Sequence, residues 1–312
     1  MRIPDRMAFV EVGPRDGLQS LPKWIDTDTK VQMINRLSEA GFPVIEATSF
    51  SSPKAVPNLR DAEEVMARIE RRRGARYRVL VPNRRGAERA LAADRPDEML
   101  GLITVSQTYL RKNQNMDLAE AVDQAIQAFR IADGAGIDFV MAVGMAFWCA
   151  YEGAIDEEQV LSLVDRLWSA GIRKFYVAGS IGMEDPAHVE RLIGRLRQIH
   201  PSIVLGYHVH NAAGFGMANI LAALDAGADW IEGAICGIGG GITLPQAMGA
   251  VGNIASEDVI AMLNAMGIDT GIGTDAVLDA ARDVARMLSI RPSSHAANGG
   301  NRSEILNGTL AT

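Results

Sequence analysis

Two histidines separated by one residue, His208 and His210, follow the apolar segment 203–207, which predicts a β-strand. Residues two apart on a strand point to the same face, so both imidazoles can reach one metal ion. The pair alone is also compatible with two histidines at a protein rim that bond water or backbone groups. Whether it is a metal site therefore depends on which other polar side chains the fold brings to the same place.

Short apolar runs alternate with segments of helical period at a spacing of roughly 30 residues, which is the signature of repeated βα units. The eight runs predict strands at 7–12, 44–48, 76–81, 99–105, 139–143, 174–177, 203–208 and 230–234. Eight strands, each followed by a helix, favour an α/β fold of the (β/α)8 TIM-barrel type over an open doubly wound sheet.

Aspartates that precede the helical segments are candidate N-caps: Asp26, Asp117, Asp156 and Asp185. Two additional C-terminal helices are predicted near 256–266 and 274–289. We expect residues 1–290 to form a single TIM-barrel catalytic domain. Residues 291–312 are rich in Ser, Asn and Gly and predict a flexible C-terminal tail, or an arm that is ordered only by contacts.

The composition of the chain limits the classes of partner and cellular compartment. The 312 residues are 48% hydrophobic and carry a net charge of −7, so a broad nucleic-acid surface is excluded. No apolar run approaches the roughly 20 residues that cross a bilayer, and the N-terminus has no signal-peptide pattern. Cys149 and Cys236 lie in apolar surroundings, which predicts buried, reduced thiols and a cytoplasmic protein. A basic cluster at 71–73, with Arg76 and Arg78 close by, predicts a solvated face; the alternative is a phosphate site.

In a TIM barrel the active site lies at the C-terminal ends of the strands. The first predicted strand leads into Arg15 and Asp16, the second contains Glu46, and the seventh ends on the histidine pair. One carboxylate and two imidazoles form a mixed oxygen and nitrogen ligand set. With water in the other positions, such a set suits Mg or Mn better than a structural zinc site, which prefers thiolates.

The segment 10–19, Val-Glu-Val-Gly-Pro-Arg-Asp-Gly-Leu-Gln, resembles the opening signature of the 3-hydroxy-3-methylglutaryl-CoA lyases, which are members of the DRE-TIM metallolyase superfamily. The resemblance covers nearly the whole chain to about residue 268. It continues through segments 38–41, 44–50, 52–54, 56–57, 151–153, 208–210, 252–253, 257–259, 262–263 and 267–268.

The resemblance implies roles for individual residues. The implied ligands of one divalent cation, Mg or Mn, are Asp16, His208, His210 and Asn253. The implied catalytic residues are Arg15, which would offset the charge of an enolate, Glu46, which would hold Arg15 or a proton in place, and His208. Gln19 and Ser180 are the implied substrate-binding residues.

Two positions depart from the family pattern. Where the lyases carry Gly-Asp-Thr, this chain has Ala178-Gly179-Ser180, so a carboxylate is missing. Where they carry a reactive cysteine in a glycine-rich loop, this chain has Gly241 in a somewhat longer loop, and Cys236 is not assigned that role. Asn211, where the lyases favour Asp, is a milder change. The implied metal site and Arg15 are retained, whereas the proton donor and part of the substrate pocket are not.

These observations predict a metal-dependent carbon–carbon lyase that cleaves a 3-hydroxy-3-methylglutaryl-CoA-like β-hydroxyacyl-CoA, with an altered substrate preference. Alternatives within the superfamily are a retro-aldolase and a Claisen synthase. Outside it, the loop 237–241 is compatible with a phosphate cradle, as in a sugar-phosphate isomerase, and a non-catalytic metal-binding paralogue is a further alternative. We expect an acyl-CoA substrate and no nucleic-acid or membrane partner, and allow for a homodimer.

Overall fold

The computed structural model describes residues 3–240, 252–306 and 308. These residues contain ten strands: β1 (Ala8–Glu11), β2 (Val44–Ser49), β3 (Arg76–Leu80), β4 (Glu98–Thr104), β5 (Asp138–Gly144), β6 (Trp148–Cys149), β7 (Gly153–Ala154), β8 (Lys174–Gly179), β9 (Val204–Val209) and β10 (Trp230–Gly233). Eight of them close a parallel barrel in the order β1-β10-β9-β8-β5-β4-β3-β2. The predicted (β/α)8 TIM barrel is confirmed, and each predicted strand matches one barrel strand within two residues at either end.

The described helices are α1 (Thr27–Glu39), α2 (Ala62–Arg68), α3 (Arg84–Ala92), α4 (Gln107–Gln114), α5 (Leu118–Gly134), α6 (Glu157–Ser169), α7 (Pro186–Ile199), α8 (Gly216–Asp225), α9 (Ser256–Ala265), α10 (Thr274–Leu288), α11 (His295–Gly299) and α12 (Arg302–Leu306). β6 and β7 form a short antiparallel hairpin outside the barrel. This hairpin was not predictable from the sequence, because two-residue strands leave no periodic pattern.

Each of the four predicted N-cap aspartates begins a helix, which confirms the predictions. Asp26 accepts a hydrogen bond from the Thr29 backbone N–H at 2.9 Å at the start of α1. Asp117 forms a capping box with Glu120 at the start of α5. Such caps satisfy backbone N–H groups that have no partner within the helix, so short polar signals fix where the barrel's outer layer begins.

The segment after α10 packs against the helices α9 and α10. The Ser294 hydroxyl donates a 2.7 Å hydrogen bond to Asp258 of α9, and Arg282 of α10 contacts Glu304 of α12 at 2.8 Å. The described part of the predicted tail is thus helical in two places and is held by contacts with α9 and α10. The division into a barrel over 1–290 and a flexible tail over 291–312 stays a prediction.

Cys149 and Cys236 are buried free thiols, as the sequence predicts. In the part of the chain that the structure describes, none of the helices is long and apolar enough to span a membrane.

Candidate metal centre and active site

A single turn of π-helix, Gly13–Gly17, directly follows β1 and carries Arg15 and Asp16. The Val12 carbonyl accepts hydrogen bonds from the backbone N–H groups of Arg15 at 3.1 Å and Asp16 at 2.7 Å. This compact turn places two neighbouring, oppositely charged side chains at the C-terminal end of the barrel. π-turns of this kind are frequent at functional sites.

The two histidines face the same centre from the end of β9. His208 Nε2 and His210 Nε2 are 3.1 Å apart, and they lie 4.0 Å and 3.8 Å from Asp16 Oδ2. Adjacent ligands of one ion, each about 2.1–2.3 Å from it, are separated by roughly 3 Å. The three side chains are buried and form a group that could hold a metal ion.

Asn253 joins this group through a short bridge between its backbone and that of His210. Its Nδ2 donates hydrogen bonds to Asp16 Oδ2 at 2.7 Å and to the Ile238 carbonyl at 3.0 Å. Because both of these partners are acceptors, they orient the amide. Its Oδ1 is buried, and no hydrogen-bond partner for it lies among the described residues. An orphaned amide oxygen beside a carboxylate and two imidazoles fits a hard divalent cation.

The electrostatics of the group keep Asp16 ionised, which is its metal-binding form, and favour a proton on His208, which a bound cation would displace. Burial alone would raise the pKa of Asp16, but the Arg15 guanidinium and both imidazoles outweigh burial and hold that pKa below its ordinary value. Burial works against charge on His208, yet the hydrogen bond to Glu232 and the nearby carboxylates raise the pKa of this imidazole. His208 Nδ1 faces Glu232 Oε2 at 3.2 Å, which leaves Nε2 directed at the centre. A carboxylate behind a ligating histidine is a common means of fixing ring orientation.

Arg15 is held on two sides. Its Nε donates to Glu46 Oε1, and its Nη1 donates to Asp16 Oδ1 at 2.7 Å. The guanidinium is buried but lines the cavity at the barrel mouth. These two bonds use two of the five N–H groups of an arginine, so the same side chain can also face a bound molecule.

A buried ion network continues below Glu46, inside the barrel. Arg78 donates to Glu98 Oε1 and to Glu232 Oε1, both at 2.6 Å, and its Nη1 lies 3.9 Å from Glu46 Oε2. Burial raises the pKa of Glu46, and Glu232 adds to this effect while Arg15 and Arg78 oppose it. Glu232 has its pKa lowered to about 2, because Arg78 and His208 outweigh burial. A chain of alternating charges thus runs from Arg15 through Glu46, Arg78 and Glu232 to the ring of His208.

The expectation that Arg78 belongs to a solvated basic face is wrong, since this side chain is buried in the barrel interior. Glu232 and Glu98 were not among the predicted site residues. A local signal was present, because a charged residue within an otherwise apolar buried strand is rare unless it is paired.

The two predicted substrate-binding residues both line the cavity, which has a volume of about 250 Å³. Gln19 Nε2 donates to Asp16 Oδ1 at 2.7 Å. Ser180 Oγ accepts a 2.9 Å hydrogen bond from the backbone N–H of Met145, a residue with a left-handed φ of 52° at the end of β5. Non-glycine residues in this conformation cluster at functional sites.

Gly241 lies outside the described residues, as does the rest of the loop over 241–251. Cys236 lies in the turn Ile235–Gly237 after β10. Its Sγ contacts the Ala281 carbonyl at 3.2 Å, and burial raises the pKa of this thiol. A buried neutral thiol is inert, so the environment of Cys236 does not suit the role of a reactive cysteine.

Two buried carboxyl groups support the turn after β10. Glu11 accepts hydrogen bonds from the backbone N–H groups of Gly13 at 2.7 Å and Ile235 at 2.8 Å, and from the Ser256 hydroxyl at 2.6 Å. Glu257 accepts one from the Cys236 N–H at 3.0 Å. Burial raises the pKa of Glu11 to about 8 and that of Glu257 to about 7. Glu11 thereby ties the turn that carries Arg15 to the end of β10.

The raised pKa of Glu257 predicts a pH-dependent effect of the Glu257→Gln substitution. The folded state holds the proton more tightly than the unfolded state, so stability falls as pH rises from about 4.5 to about 7. Glutamine keeps an acceptor and cannot ionise. We therefore expect the free energy of unfolding of the variant, relative to the parent, to rise by up to roughly 3 kcal/mol between pH 4 and pH 8.

Urea unfolding at a series of pH values measures this difference, and the substitution Glu190→Gln at an exposed position is the matched control. Parallel pH profiles for Glu257→Gln and the parent would contradict the argument.

Comparisons with known proteins agree with this geometry. A family model described as HMGL-like matches residues 6–284. The mitochondrial hydroxymethylglutaryl-CoA lyase of Mus musculus is 36% identical over 295 residues, covering 95% of this chain and 90% of the mouse protein. The structure of an HMG-CoA lyase from Acinetobacter baumannii, in complex with coenzyme A and 3-methylmalate, matches with a TM-score of 0.91 and 37% identity, covering 96% of this chain and 97% of that one. A hydroxymethylglutaryl-CoA lyase from Pseudomonas aeruginosa matches with a TM-score of 0.90 and 31% identity, covering 99% and 100%.

Proposed function

The chain belongs to the HMGL-like family and is a carbon–carbon lyase, and from this premise we propose that it cleaves a 3-hydroxy-3-methylglutaryl-CoA-like β-hydroxyacyl-CoA by a metal-dependent retro-Claisen reaction. The observation that carries the proposal is the convergence of Asp16, His208 and His210 on one point, with Arg15 bonded to Asp16 on the wall of the same cavity. A phosphate cradle or a sugar-phosphate isomerase would not need this ligand group.

The proposed holders of the metal are Asp16, His208, His210 and Asn253, and we propose Mg or Mn because the donors are one carboxylate, two imidazoles and one amide oxygen. A divalent cation bound there would supply Lewis-acid polarisation of substrate oxygens. Asp16 serves this site as an anion, since its pKa is held low by Arg15 and the imidazoles. Glu232 fixes the ring of His208 from behind.

The reaction itself sets what the remaining residues do. The tertiary hydroxyl loses its proton, the bond between the α and β carbons breaks, and the electron pair of that bond becomes the enolate of the departing thioester. The former hydroxyl carbon becomes a ketone, and the enolate carbon then takes up a proton. Arg15 offers fixed N–H donors to the enolate oxygen in a buried pocket, where such donors are most effective. Glu46 orients Arg15 by accepting from its Nε.

We further propose that the acyl group carries an aliphatic substituent at the tertiary carbon. Apart from the two histidines, Arg15 and Asp16 are the only charged side chains among the lining residues that the structure describes, and they pair with each other. The lining also includes the apolar side chains of Leu80, Leu102 and Met145. Thioether side chains adapt to irregular alkyl groups, whereas a second substrate carboxylate would find no lysine or second arginine among the described lining residues.

Purified protein tests the function directly. We expect cleavage of a β-hydroxyacyl-CoA, followed by release of the acyl-CoA product, when Mg²⁺ or Mn²⁺ is added, and loss of cleavage after chelation. The absence of any thioester or oxo-acid cleavage in the presence of bound metal would favour a non-catalytic metal-binding paralogue. Metal-dependent cleavage of a 4-hydroxy-2-oxo acid, without thioester cleavage, would favour a retro-aldolase.

The substrate preference is a separate prediction. We expect 3-hydroxy-3-methylglutaryl-CoA to be a poor substrate and an analogue with a longer aliphatic branch at the tertiary carbon to be better. Filling an apolar pocket with one more methylene is worth about 1–3 kcal/mol, or roughly 10- to 200-fold in kcat/KM. Steady-state assays on a series of branched thioesters measure this. If 3-hydroxy-3-methylglutaryl-CoA is cleaved faster than every analogue, the departures from the family pattern are neutral.

A further inference from the structure

The loop 180–185, between β8 and α7, crosses the end of β9 and touches a metal-ligand residue. The Gly182 carbonyl accepts a hydrogen bond from the Ala213 N–H at 3.0 Å, and the Gly182 N–H donates to the Gly179 carbonyl at 3.0 Å. A Cβ atom on Gly182 would lie 2.7 Å from the carbonyl carbon of His210, and φ at Gly182 is 63°. Only glycine allows the loop to lie this close to the His210 backbone.

Glu184 fastens this loop to the barrel. Its side chain is fully buried, and its Oε1 accepts a 2.6 Å hydrogen bond from the Tyr207 hydroxyl on β9. Its backbone carbonyl accepts from Asn219 Nδ2 of α8 at 3.0 Å. Tyr207 directly precedes His208, so the carboxyl group of Glu184 connects the loop to the strand that carries both histidines.

Gly179 is what makes room for this carboxyl group. A Cβ atom at position 179 would overlap the Glu184 carboxyl group, whose farther oxygen would be only 2.8 Å away. A side chain at position 179 and a glutamate at position 184 are therefore mutually exclusive in this arrangement. The family pattern has a carboxylate at position 179, and this chain does not. Here the carboxyl group of Glu184, five residues later, occupies the space next to position 179.

We propose that Glu184 is a positioning residue for the metal site, and that Gly179 is present to admit its carboxyl group. The Glu184 carboxyl group packs against Gly179 and bonds Tyr207, which holds the loop in place. The loop in turn keeps Gly182 in contact with the His210 backbone and fixes the end of β9. Buried, hydrogen-bonded groups behind a ligand keep the ligand oriented, and their loss typically weakens metal binding by about 10- to 100-fold. The effect of Glu184 on turnover rests on the proposed function, whereas its effect on metal affinity is independent of that function.

The test measures Mn²⁺ affinity by calorimetric titration of the chelator-stripped protein, without substrate. Glu184→Ala and Tyr207→Phe should each weaken Mn²⁺ binding by about 10- to 100-fold. Both changes remove the same hydrogen bond. The double variant should therefore bind Mn²⁺ no more weakly than whichever single variant binds it more weakly. Glu184→Gln keeps the acceptor for Tyr207 and should restore near-parental affinity. Glu190→Ala, on the exposed face of α7, is the control and should change nothing.

An exchange of the two positions gives a sharper test. Gly179→Asp alone should weaken Mn²⁺ binding at least as much as Glu184→Ala, because the new side chain displaces the Glu184 carboxyl group. Combining Gly179→Asp with Glu184→Gly should recover most of the lost affinity. If folded Tyr207→Phe binds Mn²⁺ as tightly as the parent, or if the combined variant is no better than Gly179→Asp alone, the proposal is wrong. Parental protein that binds Mn²⁺ but cleaves no substrate refutes the proposed function and leaves this proposal standing.

Discussion

Replacing Arg15 with lysine is expected to lower kcat by about 100-fold or more, on the order of 3 kcal/mol, with a smaller change in substrate binding. Lysine keeps the positive charge. It loses the planar fork that lets Arg15 bond Glu46 through Nε and Asp16 through Nη1 while other N–H groups face the cavity. A single ammonium cannot hold both carboxylates and also meet an enolate oxygen at a fixed angle.

Steady-state kinetics of the Arg15→Lys variant, saturated with Mn²⁺, measure this effect. Arg68→Lys is the matched control, because Arg68 pairs with Glu64 and Asp28 on an exposed helix surface, where such pairs contribute little. An Arg15→Lys enzyme with near-parental kcat would show that the enolate is stabilised by other groups. A large rise in KM with unchanged kcat would instead assign Arg15 to substrate binding.

The barrel was predictable from the sequence because its signals are local. Apolar runs of strand length and aspartate N-caps such as Asp26 and Asp117 act over a few residues, and their alternation admits few topologies. The β6–β7 hairpin left no such pattern. The helices α11 and α12 depend on contacts made by Ser294 and Glu304 with distant residues, which the local composition does not encode.

The sequence indicated the residues at the strand ends but missed those that support them from inside the barrel. Asp16 and His208 could be placed together because parallel strands of a barrel end on one rim. Arg78 and Glu232 are separated by 154 positions, and only closure of the barrel brings them within 2.6 Å. The pairing of Gly179 with Glu184 is local in sequence, yet it appears only when a loop folds back on its own strand.

Replacing Asp16 with asparagine is expected to have the largest effect on the metal site. Asp16 accepts hydrogen bonds from Arg15, Gln19 and Asn253, and its Oδ2 lies 3.8 Å from His210 Nε2. Asparagine has the same shape but no charge, and its amide nitrogen would face either Asn253 Nδ2 or the donors of Arg15 and Gln19. The variant thus loses an anionic ligand and gains a clash between donors.

We expect Asp16→Asn to weaken Mn²⁺ binding by more than the roughly 10- to 100-fold that the loss of an outer partner costs. Turnover at a fixed Mn²⁺ concentration should fall in parallel and recover only partly at saturating metal. Calorimetric titration and kinetics measure both effects. Asp26→Asn is the control, because it removes the same charge at a helix N-cap where asparagine serves equally well. If Asp16→Asn binds Mn²⁺ like the parent protein, Asp16 is not a ligand. The Asp16 carboxylate would then serve only to hold Arg15 in place.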